Sequence, residues 1–133
     1  MRTQKQRIGT LGEDIACRFL KNKGFSIKGR NYRKKWGEID IIAGKNNTIR
    51  FVEVKTVSRE KLPQNMAKET GFRPEDNVHP GKIKRLHRAI QTYLADQYKG
   101  KNIDDVDWGL DVVTVELNTQ TKEAKINFIE NIS

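Results

Sequence analysis

Apolar and polar side chains alternate with period 2 in two neighbouring stretches of this chain, Gly37–Ala43 and Ile49–Val57. Both stretches are rich in β-branched and aromatic residues, and the segment Gly44–Asn47 between them has the composition of a turn. The pattern therefore predicts a β-hairpin. Pairing Gly44 with Ile49 across a four-residue loop fixes its register.

This register brings four charged residues to one face of the hairpin. It sets Asp40 opposite Glu53 and Glu38 opposite Lys55, and directly opposed residues have Cβ atoms about 4.5–5.5 Å apart. Glu53 and Lys55 also share a face because they are two residues apart on one strand. Two carboxylates so close repel each other, and burying them is costly unless a cation neutralises them.

A hard divalent cation such as Mg²⁺ would neutralise the pair, since it takes oxygen ligands and keeps several waters. Lys55 would stand beside it, where its ammonium could orient a water or stabilise developing negative charge. This arrangement suits hydrolysis of a phosphodiester. The alternative is a solvated surface cluster of Asp40, Glu53 and Lys55, and these residues alone do not decide between the two.

Helical periodicity predicts a first helix over about Gln4–Asn22, ended by Gly24. Its expected core stripe is Ile8, Leu11, Ile15 and Phe19, widened by Ala16 and Leu20. Gly9 and Gly12 are poor helix formers, so we expect them to allow the close approach of another element.

A first strand is predicted over Phe25–Tyr32 and a second helix over Lys82–Tyr98, followed by strands over Leu110–Leu117 and Glu123–Phe128. The segment from Ser58 to Pro80 has several prolines and no clear periodicity. A loop of that length in a compact domain is usually functional or disordered, and we expect it to lie over bound substrate.

The second helix has a buried stripe and a basic first half. Its expected core positions are Ile83, Leu86, Ile90 and Leu94, with Tyr93 alongside. Its first two turns carry Lys82, Lys84, Arg85 and Arg88. Positive charge at a helix N-terminus opposes the macrodipole, so these residues serve either phosphate contact or a solvated surface.

Two further acids could extend the charged cluster. Glu13 lies at the edge of the first helix's apolar stripe and is either ordinary helix surface or a third acid that reaches the hairpin face. Asp111 begins its strand and is either a buried structural acid or another site carboxylate; we favour the structural role.

The net charge of +9 is concentrated at the start of the chain. Residues 1–35 carry 11 Lys or Arg against two acids, and the remaining 98 residues are balanced. This asymmetry favours nucleic acid as a partner, before an anionic membrane surface, although a merely soluble basic protein would have the same signature. Aromatic residues accompany the bases only around Arg33, Lys34 and Lys35, so we expect contacts mainly to phosphates.

At 133 residues the chain is expected to form one domain, residues 1–133. No apolar run approaches 18 residues and the N-terminus lacks a signal-peptide pattern, so neither a membrane span nor secretion is predicted. Cys17 is the only cysteine, which excludes an internal disulfide and fits the reducing cytoplasm.

Three motifs occur in order: Gly9–Ala16 reads GTLGEDIA, Gly37–Ile42 reads GEIDII, and Phe51–Lys55 reads FVEVK. In these motifs the chain resembles the bacterial YraN-type family and, more widely, the PD-(D/E)-x-K nuclease superfamily, which has the restriction-endonuclease-like fold. The YraN-type family is similar to archaeal Holliday junction resolvases. The resemblance spans about Ile8–Leu117, nearly the whole chain.

The resemblance implies an α/β fold with an α-β-β-β-α-β core and a mixed central sheet flanked by helices. It implies Glu13, Asp40, Glu53 and Lys55 as active-site residues. The three acids among them would hold Mg²⁺ or Mn²⁺. Lys82 falls where relatives carry a helical lysine.

The sequence departs from the superfamily pattern at two places. Ile39 precedes Asp40 where the superfamily has a proline. The resolvase-like branch often lacks that proline too. Arg59 follows Lys55 later than the arginine of relatives, which leaves its role open.

We therefore expect a Mg²⁺-dependent endonuclease that cleaves structured, branched DNA, plausibly as a homodimer because resolvase relatives are dimers. The residues expected to contact nucleic acid are Arg7, Arg33, Lys34, Lys35, Arg59, Lys82, Arg85 and Arg88. The main alternative is a non-catalytic nucleic-acid-binding protein with the same fold, and a third class is a protein-interaction adaptor. The sequence does not distinguish DNA from RNA.

Overall fold

A computed structural model describes residues 3–59 and 80–132, excluding the side chains of Arg59 and Pro80. The helices are α1 (Gln4–Asn22) and α2 (Pro80–Gln97); the strands are β1 (Ser26–Lys34), β2 (Gly37–Lys45), β3 (Thr48–Arg59), β4 (Trp108–Asn118) and β5 (Ala124–Ile129). The predicted α-β-β-β-α-β order is confirmed, with the predicted final strand after it. Of the long loop expected over substrate, residues 60–79 lie outside the described residues, and Ser58 and Arg59 belong to β3.

The five strands form one mixed sheet in the order β1-β2-β3-β4-β5. β3 and β4 are parallel, and the other three neighbouring pairs are antiparallel. A parallel pair needs a long crossover, and here the connection from β3 to β4 contains α2.

The register of the β2–β3 hairpin is confirmed, with Gly44 paired to Ile49. The turn is shorter than predicted, because Lys45 also pairs with Thr48 and only Asn46 and Asn47 remain between the strands. Both asparagines have positive φ, 52° and 64°. Two left-handed residues match the twist of a two-residue hairpin turn, and asparagine tolerates that conformation.

One helix covers each face of the sheet. The α1 face buries Ala16, Cys17 and Leu20 against Ile41, Ala43, Val52 and the odd-numbered valines of β4. The α2 face buries Leu86, Ala89, Ile90 and Leu94 against Ile39, Ile42, Ile49, Phe51, Leu110 and Val112. The predicted stripe of the second helix is thus confirmed. Neither described helix is long and apolar enough to cross a membrane.

The buried stripe of α1 is rotated from the predicted one. Leu11 is 48% exposed, whereas Gly12 is buried together with Ala16 and Leu20. A β-carbon on Gly12 would lie 2.8 Å from the Cβ and Cγ2 atoms of Thr56, so the missing side chain lets α1 contact β3 directly. Gly9 has no such neighbour within 4 Å in the described part of the chain, so the expectation of close approach is right for Gly12 and wrong for Gly9 there.

Asp111 is fully buried and hydrogen-bonded, which fits the favoured structural role. Arg50 forms a bidentate pair with its carboxylate, with one bond from Nε at 2.8 Å and a second from Nη2. The backbone N–H of Asn131 donates to the same carboxylate at 2.9 Å. These bonds fasten the C-terminal segment to the sheet.

The two helix glycines should respond oppositely to alanine. Gly12→Ala should lower the free energy of unfolding by about 2 kcal/mol, because the new methyl group overlaps Thr56. Gly9→Ala is the matched control and should raise it by about 0.5–1 kcal/mol, since alanine is the better helix former and nothing lies in its way. Urea denaturation followed by circular dichroism measures both, and shifts of equal sign would contradict the packing described.

Candidate active site

Asp40 lies where β2 separates from β3. The ladder between the two strands ends at Ile41–Val52, and beyond it the Asp40 carboxylate accepts a 2.8 Å hydrogen bond from the backbone N–H of Val54. A side-chain oxygen therefore takes the place of the carbonyl that would continue the ladder. The predicted cross-strand pairs Asp40–Glu53 and Glu38–Lys55 are consequently both absent from the ladder.

Glu38 instead pairs with Arg33 of β1, with 3.5 Å between its Oε2 atom and Arg33 Nε. Both side chains are mostly exposed. Glu38 is therefore part of the outer surface, although its charge also contributes to the raised pKa of Asp40.

The alternation of side chains breaks at Asp40. Ile39 belongs to the α2 face and Ile41 to the α1 face, although residues two apart on a regular strand share a face. On β1, the residue opposite the break is Asn31, which has a φ of 53° and no partner in the ladder. Irregularities of this kind re-aim a side chain, and here they turn the Asp40 carboxylate toward Val54 of β3.

Burial raises the pKa of Asp40 from 3.8 to about 8, and the neighbouring charge of Glu53 adds to the rise. The Val54 hydrogen bond lowers this pKa and Glu13 raises it, both to a smaller extent. The three predicted site acids are therefore close enough to act on one another. Without a cation, the Asp40 carboxyl holds a proton at neutral pH.

Glu53 is 7% exposed and forms an ion pair with α2. Lys82 Nζ lies 2.6 Å from Glu53 Oε1, and the Lys82 side chain remains 34% exposed. The sequence predicts that Lys82 contacts nucleic acid. In the structure its ammonium instead contacts Glu53, a residue predicted to bind the metal.

Glu13 is held from the other face of the sheet. Arg30 of β1 lies between two acids of α1, with its Nη2 atom 3.6 Å from Glu13 and its Nη1 atom 2.9 Å from Asp14. Gly12, the residue before Glu13, is the point at which α1 contacts β3. The helix contact thus brings Glu13 to the end of the sheet that carries Asp40.

Lys55 shares the α2 face with Glu53 by strand alternation, as predicted. It has no ion-pair partner among residues 3–59 and 80–132. Its partner in the parallel ladder is Thr114 of β4, and two positions further along β4 lies Glu116. Both are buried, so polar residues extend from the candidate site across β4, which the sequence pattern did not predict.

The donor set suits Mg²⁺ in chemistry but is only partly assembled. Mg²⁺ is commonly bound by one or two carboxylates plus waters, and Asp40 and Glu53 can supply those two. Within the described part of the chain, no three Asp, Glu, His or Cys side chains form a group that could hold a metal ion. Glu13, predicted as the third ligand, is paired with Arg30 instead.

Two basic segments that are distant in sequence meet beside α2. A β-carbon on Gly37 would lie 3.0 Å from the carbonyl carbon of Arg85, so the β1–β2 turn rests on the α2 backbone. Trp36 Nε1 donates to Thr92 Oγ1 at 3.2 Å, and the Arg88 guanidinium lies 5.4 Å from the Trp36 ring centroid. We call the resulting exposed surface the basic ridge; its members are Arg33, Lys34, Lys35, Arg85 and Arg88.

Three predicted nucleic-acid contacts lie outside the basic ridge. Arg7 is exposed on α1, which covers the opposite face of the sheet from α2. Arg59 ends β3, and its side chain is not among those described. Lys82 is the residue paired with Glu53.

Sequence reasoning missed the partners of the acids. Arg30 belongs to a strand predicted from its β pattern, and nothing in that pattern assigns it to Glu13. For Lys82 a signal was present, because a base in the first turn of a helix opposes the macrodipole and must have another use. That use was interpreted as phosphate contact, and the ion pair with Glu53 was not considered.

An open groove of about 940 Å³ lies at the other end of the sheet. It is lined by Lys28 of β1, by the β2–β3 turn with Lys45, and by residues between α2 and β4, among them Lys101 and Asp105. None of the predicted site residues lines this groove. We assign the candidate chemistry to the acids instead, because charge and hydrogen bonding converge on Asp40.

A family model described as "Uncharacterised protein family UPF0102" matches residues 12–126. A UPF0102 protein of Alkaliphilus oremlandii is 39% identical over 126 residues, which cover 95% of this chain and 97% of the relative. Another, of Caldicellulosiruptor saccharolyticus, is 38% identical over 127 residues, with coverages of 96% and 97%. The matched region includes Glu13, Asp40, Glu53 and Lys55. The YraN-type resemblance is confirmed at the level of the family.

The raised pKa of Asp40 has a consequence for stability that can be measured in a chelating buffer. The folded state binds the Asp40 proton more tightly than the unfolded state does, so this group stabilises the fold at low pH. That contribution is lost as the pH rises from about 4 to about 8. Asp40→Asn stays uncharged, so above pH 8 it should be more stable than wild type by about 2 kcal/mol.

Asp96→Asn is the matched control, since it makes the same substitution at an exposed acid of α2 that does not act on Asp40. Urea denaturation at pH 4 and pH 9 should show a gain for Asp40→Asn only at the higher pH and little change for Asp96→Asn. Parallel pH profiles for wild type and Asp40→Asn would show that Asp40 is ionised at neutral pH.

Proposed function

This chain belongs to the uncharacterised protein family UPF0102, and we propose that it acts as a divalent-metal-dependent endonuclease on structured DNA. The observation that carries the proposal is the meeting of Asp40 with Glu53 at the separated ends of β2 and β3. Ionising Asp40 beside Glu53 is unfavourable, and a divalent cation would stabilise both as carboxylates because it prefers oxygen ligands.

Each residue of the site has a defined part in phosphodiester hydrolysis. Asp40 and Glu53 would hold Mg²⁺ or Mn²⁺, which when bound supplies Lewis acidity and lowers the pKa of water. Lys55 shares the face of Glu53, and its ammonium can donate to a phosphate oxygen as negative charge builds up there. Glu13 completes the ligand set if it exchanges Arg30 for the cation.

The basic ridge supports nucleic acid as the substrate. Its residues are exposed and drawn from two segments joined by the Trp36 contacts, so their spacing is fixed by the fold. Arginine and lysine side chains contact phosphates without reading bases, which fits selection by shape. The preference for branched DNA, and a homodimer to cleave it, rest on the resemblance to archaeal Holliday junction resolvases.

A non-catalytic nucleic-acid-binding protein is the second candidate. It is favoured by the ion pairs that occupy two of the three acids, Lys82 on Glu53 and Arg30 on Glu13. In that case the acids serve the fold, and the basic ridge alone carries the function. A fold shared with nucleases would not by itself decide between the two.

A cleavage panel separates the two candidates. Purified protein with Mg²⁺ or Mn²⁺ should cut at least one of labelled four-way junctions, flaps and single strands. Asp40→Ala and Lys55→Ala should each reduce the cleavage rate by about 100-fold or more while leaving affinity for the same substrate nearly unchanged. Lys99→Ala, which removes an exposed lysine beyond the end of α2, is the control and should cut at the wild-type rate.

Absence of cleavage of every substrate, with binding retained, would replace the nuclease by the non-catalytic candidate. Equal cleavage by wild type and Lys55→Ala would remove Lys55 from the site.

The basic ridge predicts the salt dependence of binding. Affinity falls with salt, and removing one phosphate-binding side chain makes the slope of log affinity against log salt less steep by about 0.9. Lys34→Ala combined with Lys35→Ala should therefore make it less steep by about 2. The control combines Lys99→Ala with Lys101→Ala, two exposed lysines outside the ridge, and should leave the slope unchanged. Fluorescence anisotropy with labelled DNA measures both. A partner bound with almost no salt dependence would indicate a protein-interaction adaptor.

A further inference from the structure

Among the described residues, Lys82 is the base that forms an ion pair with Glu53. Its Nζ atom lies 2.6 Å from Oε1, and the Glu53 side chain is only 9% exposed. A carboxylate at that burial is costly without a charged partner, all the more beside a second carboxylate. The ion pair therefore explains how the site tolerates Glu53 next to Asp40 in the described structure.

The position of Lys82 on α2 does not favour a base electrostatically. It lies in the first turn, where positive charge opposes the macrodipole. Its side chain keeps one third of its surface exposed, so the ammonium can reach solvent without a change in the helix. Lysine is suited to changing partners, since it is a point charge on a flexible stem and has no fixed bidentate geometry.

We propose that Lys82 is the resident counter-ion of the candidate site, pairing with Glu53 in the metal-free protein and moving to a substrate phosphate when a divalent cation takes Glu53. The proposal rests on the proposed function in taking Glu53 as a metal ligand. It adds a partner exchange to that site: one ammonium neutralises the acid in the resting protein and the phosphate in the complex.

The destination of Lys82 follows from its place on the helix. Lys82 and Arg85 are three residues apart and lie on neighbouring turns of one helical face, and Arg88 follows three residues later. Arg85 and Arg88 belong to the basic ridge. An ammonium that leaves Glu53 therefore joins the phosphate-contacting surface next to the cleavage site.

The proposal predicts the sign of a change in metal affinity. If Lys82 must leave Glu53 before Mg²⁺ binds, removing its charge removes a competitor, and Lys82→Met should bind Mg²⁺ about tenfold more tightly than wild type. Lys84→Met is the matched control: it deletes the same charge two residues away, at an exposed position. Isothermal titration of the metal-free proteins with MgCl₂ measures all three affinities without requiring cleavage.

Two further variants keep the result interpretable. Lys82→Arg retains the charge and should bind Mg²⁺ as weakly as wild type, while Lys82→Gln replaces Lys82→Met if the latter does not fold. Asp40→Ala should lose Mg²⁺ binding in either background, which locates the metal at this site. Equal or weaker binding by Lys82→Met, or no binding by wild type and Lys82→Met alike, overturns the proposal.

The second half of the exchange is tested by DNA affinity. Lys82→Met should bind a four-way junction about fivefold more weakly than wild type when Ca²⁺ is present and almost equally well in a chelator, because the ammonium reaches phosphate only after leaving Glu53. Equal weakening under both conditions would contradict the exchange. A protein that shows both effects yet cuts no substrate keeps the partner exchange and loses the proposed nuclease activity.

Discussion

Negative charge at the separated ends of β2 and β3 is the constraint on which the rest of this structure depends. Three carboxylates from three elements lie near this end, and each has its own partner: Asp40 accepts from the Val54 N–H, Glu53 pairs with Lys82 and Glu13 pairs with Arg30. Each partner comes from a different element: the backbone of β3, the helix α2 and the strand β1. All three elements are therefore held at this end of the sheet. Lys82 and Arg30 are partly exposed, so their ion pairs with Glu53 and Glu13 can be exchanged for other charged partners.

Local patterns predicted the parts of the fold that are local in the chain. The bounds of α1, the stripe of α2 and the register of the hairpin follow from periodicity and from turn composition, which act over a few residues. The nearness of Asp40 to Glu53 could be predicted for the same reason, since a hairpin register is enough to bring the two residues together. Glu13 could be assigned only through the family resemblance, because a helix pattern does not say which strand the helix will contact.

The features that escaped prediction arise from contacts between elements. Leu11 fits the apolar stripe of α1, yet Gly12 faces the sheet because the bare backbone approaches β3 more closely than a leucine side chain allows. The break in alternation at Asp40 depends on Asn31 of the neighbouring strand. Lys82 and Glu53 are joined only by the β3–α2–β4 crossover, which no local pattern specifies.

The turn of Asn46 and Asn47 has a role beyond reversing the chain. Five ladder pairs, from Lys45–Thr48 to Ile41–Val52, separate it from Asp40, a span of about 17 Å at the rise of an antiparallel strand. Along that span the ladder keeps the two strands in one register. The register set by two asparagines at the protein surface therefore fixes the relative positions of Asp40 and Glu53 at the far end. A change in this turn that shifted the register of the hairpin would leave the residues of the site and its surrounding core unaltered. It would still displace Asp40 along the strand relative to Glu53.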